Sequence, residues 1–286
     1  MSSLLKSVFT AAYPVFCLVV FSYMLSDLLG SEFSWNHLGI VISSGAGMLY
    51  FVLLFLLNKT STDKFIQLYS WPIILGTALA ITALFIEEFE LIHLIFTLCV
   101  ALGWLAYLFW SSAFYDRDEN KILQIGNELP NLIFESEKKE KVSSSSFHGK
   151  FAIYIFYRGN WCPFCTAQVE EVIKEQKELE KRGVSTIFVS PQPHKYTSKL
   201  GRNRGGDFHF LVDVKNKVSR QLEIFCKNGL PASFQVFGFD SDTVLPTVII
   251  TNAIGKIIYT DQTENYRIRP EPADFVKVID KYNSEK

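Results

Sequence analysis

The residues best suited to chemistry lie in the run Arg158-Gly159-Asn160-Trp161-Cys162-Pro163-Phe164-Cys165, a Cys-x-x-Cys pair with a cation and an aromatic beside it. Where a strand feeds a helix, such a pair sets both sulfurs near backbone N–H groups that lack helical partners. The positive end of the helix dipole then favours a thiolate. Pro163 suits a first helical turn, where no hydrogen bond is lost. Arg158 lowers the thiol pKa further, and Trp161 can shield one side of the site. The competing use of the pair is tetrahedral zinc, which needs a second Cys or His pair. His148, His194, His209 and Cys226 are scattered and do not supply that spacing. The motif reads as a redox dithiol with no cofactor or metal.

The surrounding pattern positions it. Residues 151–157 form a hydrophobic strand, 162–182 read as one helix stopped by Gly183, and 186–190 are a second strand, together a βαβ unit. The helix puts Val169, Val172, Ile173, Gln176 and Leu179 on one face and Glu170, Glu171, Lys174, Glu175 and Lys177 on the other. A second signal is Val244-Leu245-Pro246-Thr247, which runs into strand 248–250 and, after a Gly-containing turn, strand 256–260. Opposite a dithiol, a cis Leu245–Pro246 bond would offer backbone groups to a docking peptide or sulfur.

Other residues carry two readings each. Cys226, within an amphipathic helix over 222–229, is a second resolving thiol or a buried side chain. Arg267 and Arg269 fold over the site or solvate a surface. Residues 135–146 are a polar run with no core element. The segment 191–207, with His194, Lys195, Lys199, Arg202 and Arg204, is a flexible basic loop.

Composition divides the chain. Of 286 residues 49% are hydrophobic and 25 are Phe, with five cysteines, which excludes disordered, collagen-like and disulfide-scaffold chains. Residues 1–115 hold three Lys/Arg and six Asp/Glu, and residues 116–286 hold the other 25 and 23. The first part reads as lipid-embedded and the second as water-facing. A net charge of -1 gives no reason to expect a nucleic-acid partner. Stretches 7–26, 38–57, 65–86 and 91–115 lack charge and are each long enough to cross a bilayer of about 20 residues' depth. Short connections predict an antiparallel four-helix transmembrane bundle. Cys17 and Cys99 fall near mid-depth, as packing residues or as a thiol relay. Glu32, His37, Glu87, Glu88, Glu90 and His93 rim one end, as a solvated surface or a metal site.

The second half resembles the thioredoxin-fold family of alkyl hydroperoxide reductases and thiol-specific antioxidants (AhpC/TSA), in its peroxiredoxin-like branch. The likeness spans about residues 123–283: Ile125-Gly126-Asn127-Glu128-Leu129-Pro130, Gly149-Lys150, the 156–165 run, Leu245-Pro246-Thr247 and Tyr266-Arg267-Ile268-Arg269-Pro270-Glu271-Pro272, in family order. The resemblance implies an α/β thioredoxin-like fold following the all-α bundle, with domains at 1–115 and 116–286. In peroxiredoxins the reactive cysteine ends a Pro-x-x-x-Thr-x-x-Cys motif and a remote arginine polarises the peroxide. Here those positions are Arg158, Cys162, Cys165 and Leu245, so two donors are missing. Against a thioredoxin pattern, Cys162 attacks as the exposed, low-pKa thiol, Cys165 resolves, and Pro246 is the cis-proline. The thioredoxin buried acid falls at Phe156.

These features predict a membrane-anchored thiol-disulfide oxidoreductase with catalytic Cys162, Cys165, Pro246 and Arg158. Its partners are protein or small-molecule thiols and disulfides, hydroperoxides and the lipid bilayer, and disulfide exchange is expected to outpace peroxide reduction. The alternatives are a thiol peroxidase and a non-catalytic tethered binding module; the intact dithiol argues against the latter. Lys6, Lys59, Lys64, Arg117 and Lys121 all fall on one side of the spans, so both termini and the redox domain are expected on the cytoplasmic side. A C-terminal reporter fusion should be active only in the cytoplasm; activity confined to the far side would reverse the topology.

Overall fold

Uncharged apolar runs of this length can satisfy their backbone away from water only as helices, and the computed structural model folds them so. It describes residues 2–30, 32–57, 62–114, 117, 120–202 and 206–285. Lys59, Arg204, Tyr115 and Asp116 lie outside the described residues. The chain divides into two compact units, Met1–Ala113 and Phe114–Lys286.

The first unit contains α1 (Ser2–Gly30), α2 (Trp35–Leu57), α3 (Thr62–Ala83) and α4 (Leu91–Leu105), the last continued by a π-helical turn over Ala106–Ser111. All four are long and apolar enough to cross a membrane. Helices α2 and α3 approach through small residues: a Cβ added at Gly39 would lie 2.5 Å from the Ala80 backbone nitrogen, and one at Gly76 2.7 Å from the Gly39 carbonyl oxygen. Tyr13 donates from its hydroxyl to the Val100 carbonyl at 2.8 Å, linking α1 to α4. Cys17 is buried inside the unit and Cys99 is exposed on its outside, so the two sulfurs occupy different environments and do not form a relay. At one end the His37 and His93 rings lie 4.7 Å apart, and Glu87 accepts from Ser34 Oγ at 2.7 Å and Trp35 N at 2.8 Å. Among the described residues no group of three or more His, Cys, Asp or Glu could hold a metal.

The second unit is built on a seven-stranded mixed sheet. In chain order its elements are β1 (Ile133–Glu135), β2 (Lys141–Ser143), β3 (Phe151–Phe156), α5 (Pro163–Lys174), α6 (Gln176–Glu180), β4 (Val184–Ser190), α7 (His194–Gly201), β5 (Phe208–Val212), α8 (Lys217–Gln221), β6 (Phe225–Cys226), β7 (Thr243–Val244), β8 (Thr247–Thr251), β9 (Ile257–Asp261) and α9 (Pro272–Ser284). The order across the large sheet is β2-β1-β5-β4-β3-β8-β9, and β6 pairs with β7 separately. Strand β3 is parallel to β4 and antiparallel to β8, which places the β3–α5 junction and the start of β8 side by side: Phe156 pairs with Thr247. With the β8–β9 hairpin and the α5 crossover this is the thioredoxin-like fold.

Four local readings change. The 162–182 helix breaks at Glu175, whose φ of -85° and ψ of 11° leave the helical region. The 135–146 stretch joins the sheet edge, because Phe134 is buried in the core and draws β1 into pairing with β2. The basic segment after 190 forms α7, held by buried Thr197. Cys226 lies on strand β6 rather than on a helix, and Glu223 and Asn228 on either side have positive φ, incompatible with continuous helix.

The glycine contact between α2 and α3 has a direct consequence. Gly76→Leu would force the two backbones apart at a cost of about 1–3 kcal/mol. In detergent the full chain should lose thermal stability while the thiol reactivity of the second unit is retained; an unchanged melting profile would show that the helices do not depend on this approach.

Candidate active site

The chain turns from β3 into α5 through Arg158-Gly159-Asn160-Trp161. Gly159 has φ +149°, and a Cβ there would meet Trp161 Nε1 at 2.7 Å, so only glycine lets the indole fold back over the turn. Cys162 is the N-cap of α5 with extended backbone, and its carbonyl accepts from Cys165 N at 3.0 Å and Thr166 N at 3.1 Å. Pro163 takes the first helical position. The turn is held by Gln192, a residue with no recognisable signal in the sequence. Its Oε1 accepts from Asn160 N at 2.8 Å, and its Nε2 donates to Tyr157 OH at 3.0 Å, Asn160 Oδ1 at 3.1 Å and Thr197 Oγ1 at 3.2 Å.

Both sulfurs are buried, Cys162 at 2% exposure and Cys165 at 0%, and neither is in a disulfide. The expectation of an exposed, low-pKa Cys162 is reversed. Burial pushes the Cys162 thiol up, and its hydrogen bond to Cys165 and that neighbour's charge push it further. Burial also opposes charge on Cys165. There it is overcome by the Cys162 hydrogen bond, the Arg269 guanidinium, the Arg158 backbone N–H and the Arg158 charge, which together hold its thiol well below the ordinary range. The helix dipole reaches both sulfurs; these local donors separate them.

Arginine is the decisive partner. Arg269 Nη2 lies 3.8 Å from Cys165 Sγ, with Arg269 itself 9% exposed and its Nε and Nη1 buried without a hydrogen-bond partner. The surface-solvating alternative for Arg267 and Arg269 does not hold, since both are buried. Arg158 is also buried. Its guanidinium lies 4.7 Å from the Trp161 ring and 5.2 Å from the Tyr266 ring, and Nη2 donates to the Gly229 carbonyl. A small cavity beside it is lined by Arg158, Trp161, Gln192, Leu230, Asp242 and Thr243, among others.

Pro246 sits at the mouth of β8 as anticipated, but the described residues contain no cis peptide bond, so Leu245–Pro246 is trans. Its carbonyl is occupied, accepting from Arg117 Nη1 at 3.0 Å. Leu245 N donates to Ile224 O at 2.7 Å. These bonds consume the edge that a docking peptide would use. Phe156, at the thioredoxin acid position, is fully buried among apolar neighbours.

Removing the cation should return the Cys165 thiol toward its ordinary range. In Arg269→Gln the pH midpoint for iodoacetamide alkylation of Cys165 should rise by about 1–3 units, with alkylation at pH 5 at least about fivefold slower. Peptide mass spectrometry reads this; an unmoved midpoint would remove Arg269 from the site.

Residues 125–260 match the AhpC/TSA family. Peroxiredoxin Bcp of Bacillus subtilis is 23% identical over 103 residues, 36% of this chain and 66% of that protein. The chain thus spans just under two thirds of the length of that peroxiredoxin. Thiol-disulfide oxidoreductase ResA of Halalkalibacterium halodurans is 25% identical over 160 residues, 56% of this chain and 77% of that protein. Among solved structures, Enterococcus faecalis AhpC aligns at 14% identity with a TM-score of 0.45, covering 56% of this chain and 92% of that one. Behind its four apolar helices the chain thus carries a thioredoxin-like fold whose residues 125–260 are similar to the AhpC/TSA family.

Proposed function

We propose that the chain is a membrane-anchored dithiol oxidoreductase in which Cys165 attacks a hydroperoxide and Cys162 resolves the product, with external thiols reopening the disulfide. The observation that supports this reading is the buried Cys165 sulfur, 3.8 Å from Arg269 Nη2, whose thiol the Cys162 hydrogen bond and Arg269 hold below the ordinary range. In the first step the Cys165 thiolate attacks one peroxide oxygen, the O–O bond breaks, and an alcohol or water leaves once protonated. Cys165 becomes a sulfenic acid. The Cys162 thiol then attacks that sulfur, a water departs, and the Cys162–Cys165 disulfide forms. Two equivalents of an external thiol restore the dithiol by exchange.

The donors absent at the family's threonine and arginine positions have replacements here. The Cys162 thiol stands at the threonine position. Arg269 carries two buried nitrogens, Nε and Nη1, without partners, suited to the negative charge that develops on the departing oxygen. Burial of both sulfurs and occupation of the Pro246 carbonyl favour a small oxidant over a folded protein disulfide. The similarity to ResA favours a second reading, in which a small disulfide oxidises the same pair. We also place the redox domain, residues 116–286, on the Lys/Arg-rich cytoplasmic side of a bilayer spanned by residues 1–115, where reduced thiol pools would recycle it.

On the detergent-solubilised full chain, one equivalent of hydrogen peroxide or an alkyl hydroperoxide should convert Cys162 and Cys165 to a disulfide faster than an equal concentration of a small disulfide does. Cys162→Ser should stop at the Cys165 sulfenic acid, trapped by dimedone, and Cys165→Ser should not react. Faster oxidation by the disulfide, with mixed disulfides forming on Cys162, would support the exchange reading instead.

A further inference from the structure

Arg117 belongs to the segment by which the chain leaves its apolar helices and enters the thioredoxin-like unit. Its guanidinium donates from Nη1 to the Pro246 carbonyl at 3.0 Å and the Thr263 carbonyl at 3.1 Å, and from Nη2 to Thr247 Oγ1 at 2.7 Å. These acceptors lie on two separate segments, the entry to β8 with its first residue Thr247 and the loop that follows β9. The second segment carries Arg269. Phe114 is fastened to the same loop, with its backbone N–H donating to Glu264 O at 2.6 Å and its ring 6.1 Å from that of Tyr266. Tyr266 in turn flanks the Arg158 guanidinium.

Asp261, at the end of β9, completes the arrangement. Burial pushes its half-buried carboxyl up, while the Arg269 charge, the Thr263 backbone N–H and the Arg117 charge favour the carboxylate, and Tyr259 also faces it. Cys165 is faced by Cys162, Tyr157, Arg158 and Arg269. Arg269 and Arg117, which repel each other, both favour charge on Asp261, and Arg269 favours it on Cys165. A buried carboxylate deprived of one guanidinium draws more strongly on the other.

We propose that Arg117 is a positioning residue for the redox site: its planar fork ties the Pro246–Thr247 loop to the Arg269 loop and shares the Asp261 charge, leaving Arg269 free to face Cys165. This rests on the reading of Cys165 as the attacking thiolate. A lysine cannot reproduce the function in full, because a point cation does not bridge acceptors on two loops as a guanidinium fork does.

The test uses the full chain in detergent and follows Cys165 alkylation by peptide mass spectrometry from pH 5 to 10. Arg117→Gln should raise the midpoint by about one pH unit, a roughly fivefold slowing at pH 5, with no change above pH 9.5, where Cys165 is ionised regardless. Arg117→Lys should recover part of the shift. Adding Asp261→Asn to Arg117→Gln should lower the midpoint again, because the carboxylate competing for Arg269 is gone. Thermal melting of each variant separates these effects from loss of fold, and the Lys variant keeps the test usable if the Gln variant does not fold. A midpoint unmoved by Arg117→Gln, equal slowing at every pH, or no recovery on adding Asp261→Asn overturns the proposal. A wild-type Cys165 midpoint in the ordinary thiol range would overturn the Cys165 reading itself.

Discussion

A sulfur with no exposed surface can carry negative charge only if the protein replaces the water it has lost. Cys165 is such a sulfur, and its replacements are the Cys162 thiol, the Arg158 backbone N–H and the Arg269 guanidinium. Much of the surrounding architecture follows from that requirement. The β3–α5 junction must fold so that Cys162 caps the helix while Cys165 points inward, and the loop after β9 must bring an arginine from 104 positions away. Burial of that arginine is a cost in itself. It is offset by the Cys165 sulfur it faces and by the Asp261 charge, and its Nε and Nη1 stay buried without a hydrogen-bond partner.

The turn bearing the cysteines is held from one side only by local bonds, and elsewhere by side chains from other elements. Gln192, at the end of β4, uses both ends of its amide to fix Asn160, Tyr157 and Thr197. Arg158 is clamped between two aromatic rings and the Gly229 carbonyl. Thr243 Oγ1 on β7 closes the ring by donating to the Arg158 carbonyl at 3.1 Å. A rigid first turn matters here because a small displacement of Cys165 would separate it from donors that lie at the limit of hydrogen-bond reach.

The two units pack by different devices. In the helical unit the backbone is satisfied within each helix, and close approach comes from glycine, as at Gly39 and Gly76. In the thioredoxin-like unit apolar side chains from both faces of the sheet form the core, with the central strands β3 and β4 buried nearly throughout. Small residues suit association where lipid offers no hydrophobic drive, and large ones suit a core that water pushes together.

What the sequence determined by itself was whatever depends on neighbours along the chain. Apolar runs without charge specified the four helices, period-2 and period-3.6 patterns specified the βαβ unit around the dithiol, and the AhpC/TSA motifs in their order specified the fold. Only the tertiary structure decided what depends on residues far apart. A polar stretch became an edge strand because Phe134 finds a core, and Cys226 became part of a strand because β7 pairs with it. The ranking of the two thiols inverted for the same reason. Spacing showed the helix dipole, which acts on Cys162 and Cys165 alike, but the charge goes to the sulfur that Arg269 reaches. That approach, like the occupation of the Pro246 carbonyl by Arg117, is set by how loops after β7 and β9 fold over the sheet, and no local pattern encodes it.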